Sequence, residues 1–335
     1  MEFLKASKPS KPTVTGADYY IVPPEGGEPV RYSRMTRFID VFSDKSNLVK
    51  RDIRYAVKGA VKYADELAGL DIDEDRYEID QIADRAGREA GKWHSADYGT
   101  AMHALTEDFD NGFLKPNFKG IPDTPAVSDL ARGPMNMLNG MQSQMQKDLL
   151  AYAALVEAYE IETVHAESTV VIDDYRVAGT ADRYSRINNP MDLPYDEESD
   201  CATVDLKTGR IDYGRREKAM QLAGYSKATL YNADTHERTV HGASKKYGYI
   251  LHLAAGSGVA SLVPVKLERA FDFLEKAHEN WEIRKTKEIW KSFGLTEWLH
   301  REIDKVESEE QMKDLYFRTK SYWTPEHVAR AKEKF

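Results

Sequence analysis

A single cysteine, Cys201, stands in 335 residues. An intrachain disulfide, a zinc knuckle and a thiolate-held iron–sulfur cluster each need several thiols, so all three are excluded, and any metal must be held by oxygen and nitrogen. Long apolar runs are missing too. No stretch approaches the roughly 18 apolar residues of a membrane span, and Met1 to Pro12 hold lysine and proline but no apolar run of a secretory signal. A cytoplasmic protein without membrane attachment is expected. No Walker phosphate-binding motif occurs, so any helicase motor belongs to a separate chain. Internal repeats and low-complexity tracts are likewise lacking. What is present is ordinary for a globular protein: 41% hydrophobic and 31% charged residues, enough for one sizeable core or two smaller ones. The net charge of −9 argues against a protein that grips nucleic acid over its whole surface. It leaves room for an enzyme whose basic groups line one groove while metal ions neutralise phosphate.

Along the chain, residues 1–30 are rich in Pro, Gly and Lys without periodicity and read as a flexible arm. From Met35 to Leu70 apolar residues recur at helical spacing, as in Ile53, Ala56, Val57 and Ala60. The acidic run Asp71 to Asp80 reads as a solvated loop or helix start. Helices are predicted over 95–109 and 136–159, with a proline- and glycine-rich loop at 111–134 between them. The period then changes. Residues 163–172, 176–187 and 201–207 are β-branched runs of strand length, followed by a helix over 215–231, strands over 246–253 and 259–267, and helices to the end. This order predicts an α/β fold: a central mixed sheet flanked by helices, with helical additions at both termini.

Three segments carry the chemistry. Gly179-Thr180-Ala181-Asp182 lies on one predicted strand, Val204-Asp205-Leu206-Lys207-Thr208-Gly209 ends the next, and Gln221-Leu222-Ala223-Gly224-Tyr225 lies on the following helix. Residues two apart on a strand share a face, so Asp205 and Lys207 project together while Leu206 enters the core. Taken alone, that pair is a surface ion pair worth under ~1 kcal/mol, but charges flanking a core strand need a reason. Asp182 on an adjacent strand reaches the same spot. Two carboxylates with a backbone carbonyl suit Mg²⁺ or Mn²⁺. A lysine beside such an ion orients and helps deprotonate an attacking water, or stabilises the developing phosphorane. Gln221 and Tyr225, one helical turn apart, look back at the site. Phosphodiester hydrolysis fits this set.

A glycine-bearing Asp strand, then Asp-X-Lys, then Gln-X-X-X-Tyr on a helix, in that order, resembles the PD-(D/E)XK nucleases and specifically their RecB-like exonuclease branch. Gly99-Thr100-Ala101-Met102-His103 stands where that branch carries an upstream helical histidine. The resemblance covers about residues 94–231. It implies a restriction-endonuclease-like core and a magnesium- or manganese-dependent deoxyribonuclease. His103, Asp182, Asp205 and the Leu206 carbonyl would hold the metal, Lys207 would assist the water, and Gln221 and Tyr225 would position Lys207 or the DNA. Glu167, on the strand before Asp182, is a weaker candidate. With its lone Cys201 the chain resembles the branch's cluster-free members, common in bacteriophage, and no iron–sulfur cluster is expected. The implied setting is DNA end processing for recombination, repair or phage metabolism in a host cytoplasm, beside a single-strand annealing protein or recombinase. The expected division is an arm (1–30), a nuclease domain of helical (31–160) and sheet (161–290) parts, and a helical extension (291–335).

Two other functions compete: a catalytically inactive DNA-binding or assembly module with the same fold, and a structure-specific endonuclease. Intact Asp182, Asp205 and Lys207 speak against the first, and the Gln-X-X-X-Tyr helix with its upstream histidine against the second. The basic cluster Lys207, Arg210, Arg215, Arg216 and Lys218 reads equally as a solvated loop or a phosphate-tracking groove, and Lys245-Lys246 and Arg284-Lys285-Lys287 read as solvent faces before DNA contacts. The C-terminal aromatics Trp281, Trp290, Trp298, Tyr316, Phe317, Tyr322 and Trp323 read as helix packing before base stacking.

Overall fold

The computed structural model describes residues 10–16, 18–137, 140–286 and 294–334. In chain order the elements are β1 (Val14–Thr15), β2 (Asp18–Ile21), β3 (Val30–Arg34), α1 (Met35–Ile39), α2 (Ser46–Ala60), α3 (Ala64–Leu67), α4 (Arg76–Glu89), α5 (His94–Asp110), α6 (Arg132–Met137) and α7 (Gln142–Ala158). Then come β4 (Ile161–Ile172), β5 (Val177–Ile187), β6 (Ala202–Lys207), α8 (Arg215–Lys227), β7 (Thr229–Tyr231), β8 (Arg238–Thr239), β9 (Tyr247–Ala254), β10 (Val259–Lys266) and α9 (Glu268–Lys285). Helices α10 (Leu295–Lys305), α11 (Glu309–Thr319) and α12 (Pro325–Lys334) close the chain. Met1–Trp281 form one compact unit and Glu282–Phe335 a second. The larger unit is α/β, with a ten-stranded mixed sheet between helices. None of the described helices is long and apolar enough to cross a membrane.

The sequence hides part of this sheet. Residues 14–21, expected within a flexible arm over 1–30, supply β1 and β2, and 30–34, at the start of the expected helical part, supply β3. Tyr19, Ile21 and Tyr32 are buried there against Val171, Ala178 and Tyr231, a small apolar cluster that prolines and glycines on either side mask. The predicted helix over 215–231 stops at Lys227, and the β-branched and aromatic Thr229–Tyr231 pair with β4 instead. The loop at 111–134 contains a π-helical turn, Val127–Ala131, whose Val127 and Ala131 are buried. The helix expected from residue 136 begins at Gln142. Lys287 and Trp290 lie outside the described residues.

Strand β5 organises the sheet. One edge is bonded by β4 almost throughout, in antiparallel register from Ile187↔Ile161 to Val177↔Ile172. The other edge is shared. Val177 and Ala178 pair in parallel with β3, and Arg183 to Ser185 pair antiparallel with β6, which continues in parallel to β9 and so to β10. Residues 179–182 take no strand partner on that edge. Two cores cover the two faces. Leu105, Met145, Leu149 and Tyr152 of α5 and α7 pack on Val204, Leu206 and Leu251. On the other face Phe38, Met220, Leu222 and Leu274 pack on Val170, Tyr184 and Ile250. Outside the sheet, α2 and α4 approach so closely that a Cβ on Gly59 would lie 1.9 Å from the Ala86 carbonyl oxygen. Only glycine fits there.

A buried imidazole ties the end of α8 to the sheet. Backbone partners fix the tautomer of His241: Nδ1 accepts from the Ala243 N–H at 3.1 Å, and Nε2 donates to the Ala228 carbonyl at 2.8 Å. The ring stacks on Tyr184 at 4.1 Å. Protonating Nδ1 would break the first of these bonds. Burial, with the Lys245 and His165 charges adding and the Ala228 carbonyl opposing, pushes the His241 pKa down to about 4. An unfolded histidine titrates near about 6.5, so as pH falls the unfolded chain takes up this proton first. Stability is therefore lost between about pH 6.5 and 4, by about 2 kcal/mol from this group after discounting for residual solvent. Urea unfolding at pH 7 and pH 4.5 should show that the fall in His241→Gln is smaller than in the wild type by about that amount; equal falls refute the assignment.

Candidate metal centre

The unpaired stretch of β5 is where the predicted residues meet. Gly179 opens it because nothing larger fits: a Cβ there would lie 2.9 Å from Tyr225 Cε1 and 3.1 Å from its hydroxyl. Thr180 Oγ1 bonds the Tyr19 hydroxyl at 3.2 Å. Asp182 closes the gap. Its Oδ2 accepts the Leu206 N–H at 2.9 Å, so a side chain replaces the ladder bond lost where β5 and β6 part.

Helix α5 brings the histidine. Residues 103, 106 and 110 recur on one side of it, and two of them are clamped to β5. Asp110 Oδ2 accepts from Arg183 Nε at 2.7 Å, and Arg183 donates to Thr106 Oγ1 at 2.7 Å. Tyr152 Oη donates to Asp110 Oδ1 at 2.6 Å. The pair is almost wholly buried, with side chains 3% and 6% exposed, and the bonds satisfy the charges that burial would otherwise penalise. One position along the strand and two turns back along the helix, His103 Nδ1 lies 3.6 Å from Asp182 Oδ2 and 3.8 Å from Glu167 Oε1. These three side chains offer ligand atoms all within 4.8 Å of one another. They line an open cleft of about 440 Å³, with Gly99, Thr180 and Leu130 of the π-helical turn also at its wall.

Glu167 reaches the cluster by an unusual backbone. Ala166↔Arg183 and Ser168↔Ala181 place it opposite Asp182, yet it takes no part in the pairing and its φ is +44°. A left-handed non-glycine residue inside a strand costs about 1–3 kcal/mol. The carboxylate nevertheless lies 3.8 Å from His103 Nδ1.

Asp205 and Lys207 stand alongside as the alternation predicts. Val204 and Leu206 enter the α5 and α7 core, while Asp205 is in register with Ile250 on the opposite face. Lys207 Nζ is 2.5 Å from Asp205 Oδ2, an ion pair close in distance but not aligned as a hydrogen bond, and Asp205 Oδ1 is buried with no hydrogen-bond partner among the described residues. The structure thus groups His103 with Asp182 and Glu167, and leaves Asp205, expected among the metal ligands, paired to Lys207 beside that group. At Leu206 the site engages the N–H. Gln221 and Tyr225 lie where the helix reading put them. Burial drives the Tyr225 phenol well above its ordinary pKa, the Asp182 and Asp205 charges add to this, and the Gln221 amide beside it opposes.

Charge is unbalanced here. Three carboxylates, Glu167, Asp182 and Asp205, face one ammonium and one imidazole, because Arg183 is committed to Asp110. Burial, with the Asp182 charge adding, lifts the Asp205 carboxyl to about 6 against the pull of Lys207 and His103. Burial also disfavours the Asp182 charge, but His103, Lys207, Arg183 and the Leu206 N–H more than reverse it and hold its pKa below the usual range. For Lys207 and His103 burial alone would lower the pKa, yet the facing carboxylates raise it in both. An excess of buried negative charge with an orphaned carboxylate oxygen suits a divalent cation. Imidazole with carboxylate oxygens admits Mg²⁺ and Mn²⁺.

Sequence reasoning missed the Arg183–Asp110 clamp, whose partners lie far apart in the chain and carry no motif. Glu167 was legible only as a carboxylate one strand earlier. No protein-family model matches the chain, and no curated protein matches it in sequence.

Glu167 provides a test that separates ligation from folding. Both Glu167→Ala and Glu167→Gly should weaken Mn²⁺ binding by about tenfold or more, measured by electron paramagnetic resonance titration of free Mn²⁺. Only the glycine variant releases the positive-φ strain, so it should be more stable than the alanine variant by about 1 kcal/mol. Unchanged Mn²⁺ affinity in both would remove Glu167 from the site.

Proposed function

We propose that the protein is a divalent-cation-dependent deoxyribonuclease that hydrolyses phosphodiester bonds from DNA ends, a RecB-like member of the PD-(D/E)XK nucleases with a restriction-endonuclease-like core. One observation carries the reading: the break in the β5 edge, which sets His103, Glu167 and Asp182 within reach of one cation and Asp205 and Lys207 beside them. These residue types on these elements match the order of motifs in the sequence.

In this reading His103, Glu167 and Asp182 hold Mg²⁺ or Mn²⁺, with the orphaned Asp205 oxygen at its margin. Bound there, the cation supplies phosphate neutralisation and a more acidic water. The protein's residues do the rest. The Leu206 N–H fixes the Asp182 carboxylate through Oδ2, the oxygen that also lies 3.6 Å from His103 Nδ1. Lys207, held protonated by Asp205 and Asp182, places positive charge where the pentacoordinate phosphorane develops its negative charge. Tyr225, packed against Gly179 and flanked by Gln221, walls the gap from the α8 side and keeps the Lys207 strand in place. End processing for recombination, repair or phage DNA metabolism is the proposed setting, with a single-strand annealing protein or recombinase as the proposed partner.

The test follows end-labelled linear DNA and closed circular DNA with Mg²⁺, Mn²⁺ or EDTA. The expected result is metal-dependent loss of the linear form alone, slowed by about a hundredfold or more in Lys207→Ala and Asp182→Asn. Nicking of the circle would favour a structure-specific endonuclease. No cleavage with any metal would favour a DNA-binding module that retains the fold without the chemistry.

A further inference from the structure

Beyond the metal centre, a second cleft of about 570 Å³ opens between the loop after Lys207, α8, β9, β10 and α9. Its floor is apolar: Ile211, Ile250, Val263, Val265 and Phe273. These side chains pack against the core under α8 and α9. Its rim is cationic, with Arg215, Arg216, Lys266 and Arg269 against one carboxylate, Asp212. The rim charges are only partly answered. Arg215 lies 3.4 Å from Asp212, which Arg210 also approaches, and Arg216 lies 3.4 Å from Glu217 while donating to the Phe42 carbonyl. Lys266 and Arg269 have no carboxylate within 4.0 Å among the described residues. The Arg269 guanidinium instead sits 5.9 Å from the centre of the Phe273 ring.

Position ties this cleft to the metal centre. Ile250 in its floor is the in-register neighbour of Asp205 across the β6–β9 ladder, on the same face of the sheet. Adjacent strands lie about 4.8 Å apart, so the floor begins one strand from the Asp205–Lys207 pair. Ile211 and Arg215 follow Lys207 within the same loop and helix start.

We propose that this cleft binds one nucleotide unit, its base on the apolar floor beside Phe273 and its phosphate on the Arg215, Arg216, Lys266 and Arg269 rim. An apolar slot accepts the face of any base, and a rim of guanidinium and ammonium groups accepts a phosphate but carries no sequence information. The volume falls within the range of small-molecule sites. Asp212 disfavours a second phosphate near Arg215. The unit comes either from the DNA strand that enters the metal centre or from a free mononucleotide, and both present this chemistry. The assignment to a substrate strand rests on the nuclease reading. The binding chemistry does not.

The experiment uses the full chain in EDTA, where no hydrolysis occurs, and follows fluorescence anisotropy of a short labelled single strand. Three variants are compared with the wild type: Lys266→Ala/Arg269→Ala, which removes two rim charges; Ala219→Phe, which fills the cleft; and Lys58→Ala, a charge control on α2. The rim variant should bind about tenfold more weakly and lower the slope of log Kd against log salt by about 2, while the control leaves both unchanged. Moving an abasic unit along the strand should weaken wild-type binding at one position and have no such effect in Ala219→Phe. Competition by dAMP in the wild type, lost in the rim variant, identifies a free nucleotide as a ligand; its absence with the abasic effect present identifies the strand.

If the rim variant behaves like Lys58→Ala, or no abasic position matters to the wild type, the proposal is overturned. The rim variant alters only exposed side chains, so it decides the matter even if Ala219→Phe does not fold. Metal-dependent cleavage without these binding effects would remove the cleft and keep the nuclease. Cleft-dependent binding by a chain that cuts no DNA would do the reverse.

Discussion

The site depends on a strand that loses its neighbour for four residues. Strand β5 is held by β3 at Val177 and Ala178 and by β6 from Arg183 onward, and between those contacts its edge is bare. A continuous ladder there would have closed the sheet and left no room for side chains from both faces to meet. Backbone groups deprived of partners are costly when buried, and the molecule answers locally. Asp182 captures the Leu206 N–H, Thr180 bonds Tyr19, and the Tyr225 ring covers Gly179. The same substitutions that repair the sheet furnish the site.

A gap alone would not fix the distance from His103 to Asp182, because α5 belongs to another layer. The buried Arg183–Asp110 pair sets it. Removing one partner of such a pair leaves an uncompensated buried charge and costs about 3–5 kcal/mol. This clamp, immediately beside Asp182 on the strand and on the same side of α5 as His103, is therefore a rigid anchor for a cluster that repels itself. Burial, with the Asp182 charge adding, lifts the Asp205 carboxyl to about 6, and the Asp205 and Asp182 charges raise the Lys207 pKa against the effect of burial. That strain is useful only if something positive arrives, whether a cation, a phosphate-bound metal or both. Perturbed groups concentrated in one cleft, on elements otherwise packed with apolar side chains, are the signature expected of a functional site.

How much of this the sequence discloses follows from the range of each interaction. Alternation along β6 made Asp205 and Lys207 co-facial and sent Leu206 inward, because strand periodicity is local. The helix bearing His103 and the one bearing Gln221 and Tyr225 were legible for the same reason. Glu167 was legible only as a carboxylate on the strand before Asp182, and nothing in the Ala166-Glu167-Ser168 sequence signals its positive φ. The clamp joins residues 73 positions apart and is invisible to any local pattern. Strands β1 to β3 were concealed by prolines and glycines around a few apolar residues, whose burial requires β5 and β7 to be in place already. Local periodicity therefore disclosed the elements that bear the motif residues but not the sheet edge that brings them together.

That edge also bears on how a polymer reaches the site. His103 and Thr106 approach the gap from the α5 face, whereas Asp205 and Ile250 lie on the face under α8 and α9. The two faces meet where β5 and β6 part, between the β3 and β6 pairings of β5. A ligand touching both His103 and Lys207 must therefore lie across the break. On the α5 side it meets the open cleft that contains His103, Glu167 and Asp182; on the α8 side the chain leaving Lys207 leads into a run of arginines above an apolar floor. An extended anion with flat apolar rings at regular intervals is the shape that can satisfy both. In the proposed reading the discontinuity that would make room for a cation would also set a path for the strand, and a compact phosphomonoester would use only half of it.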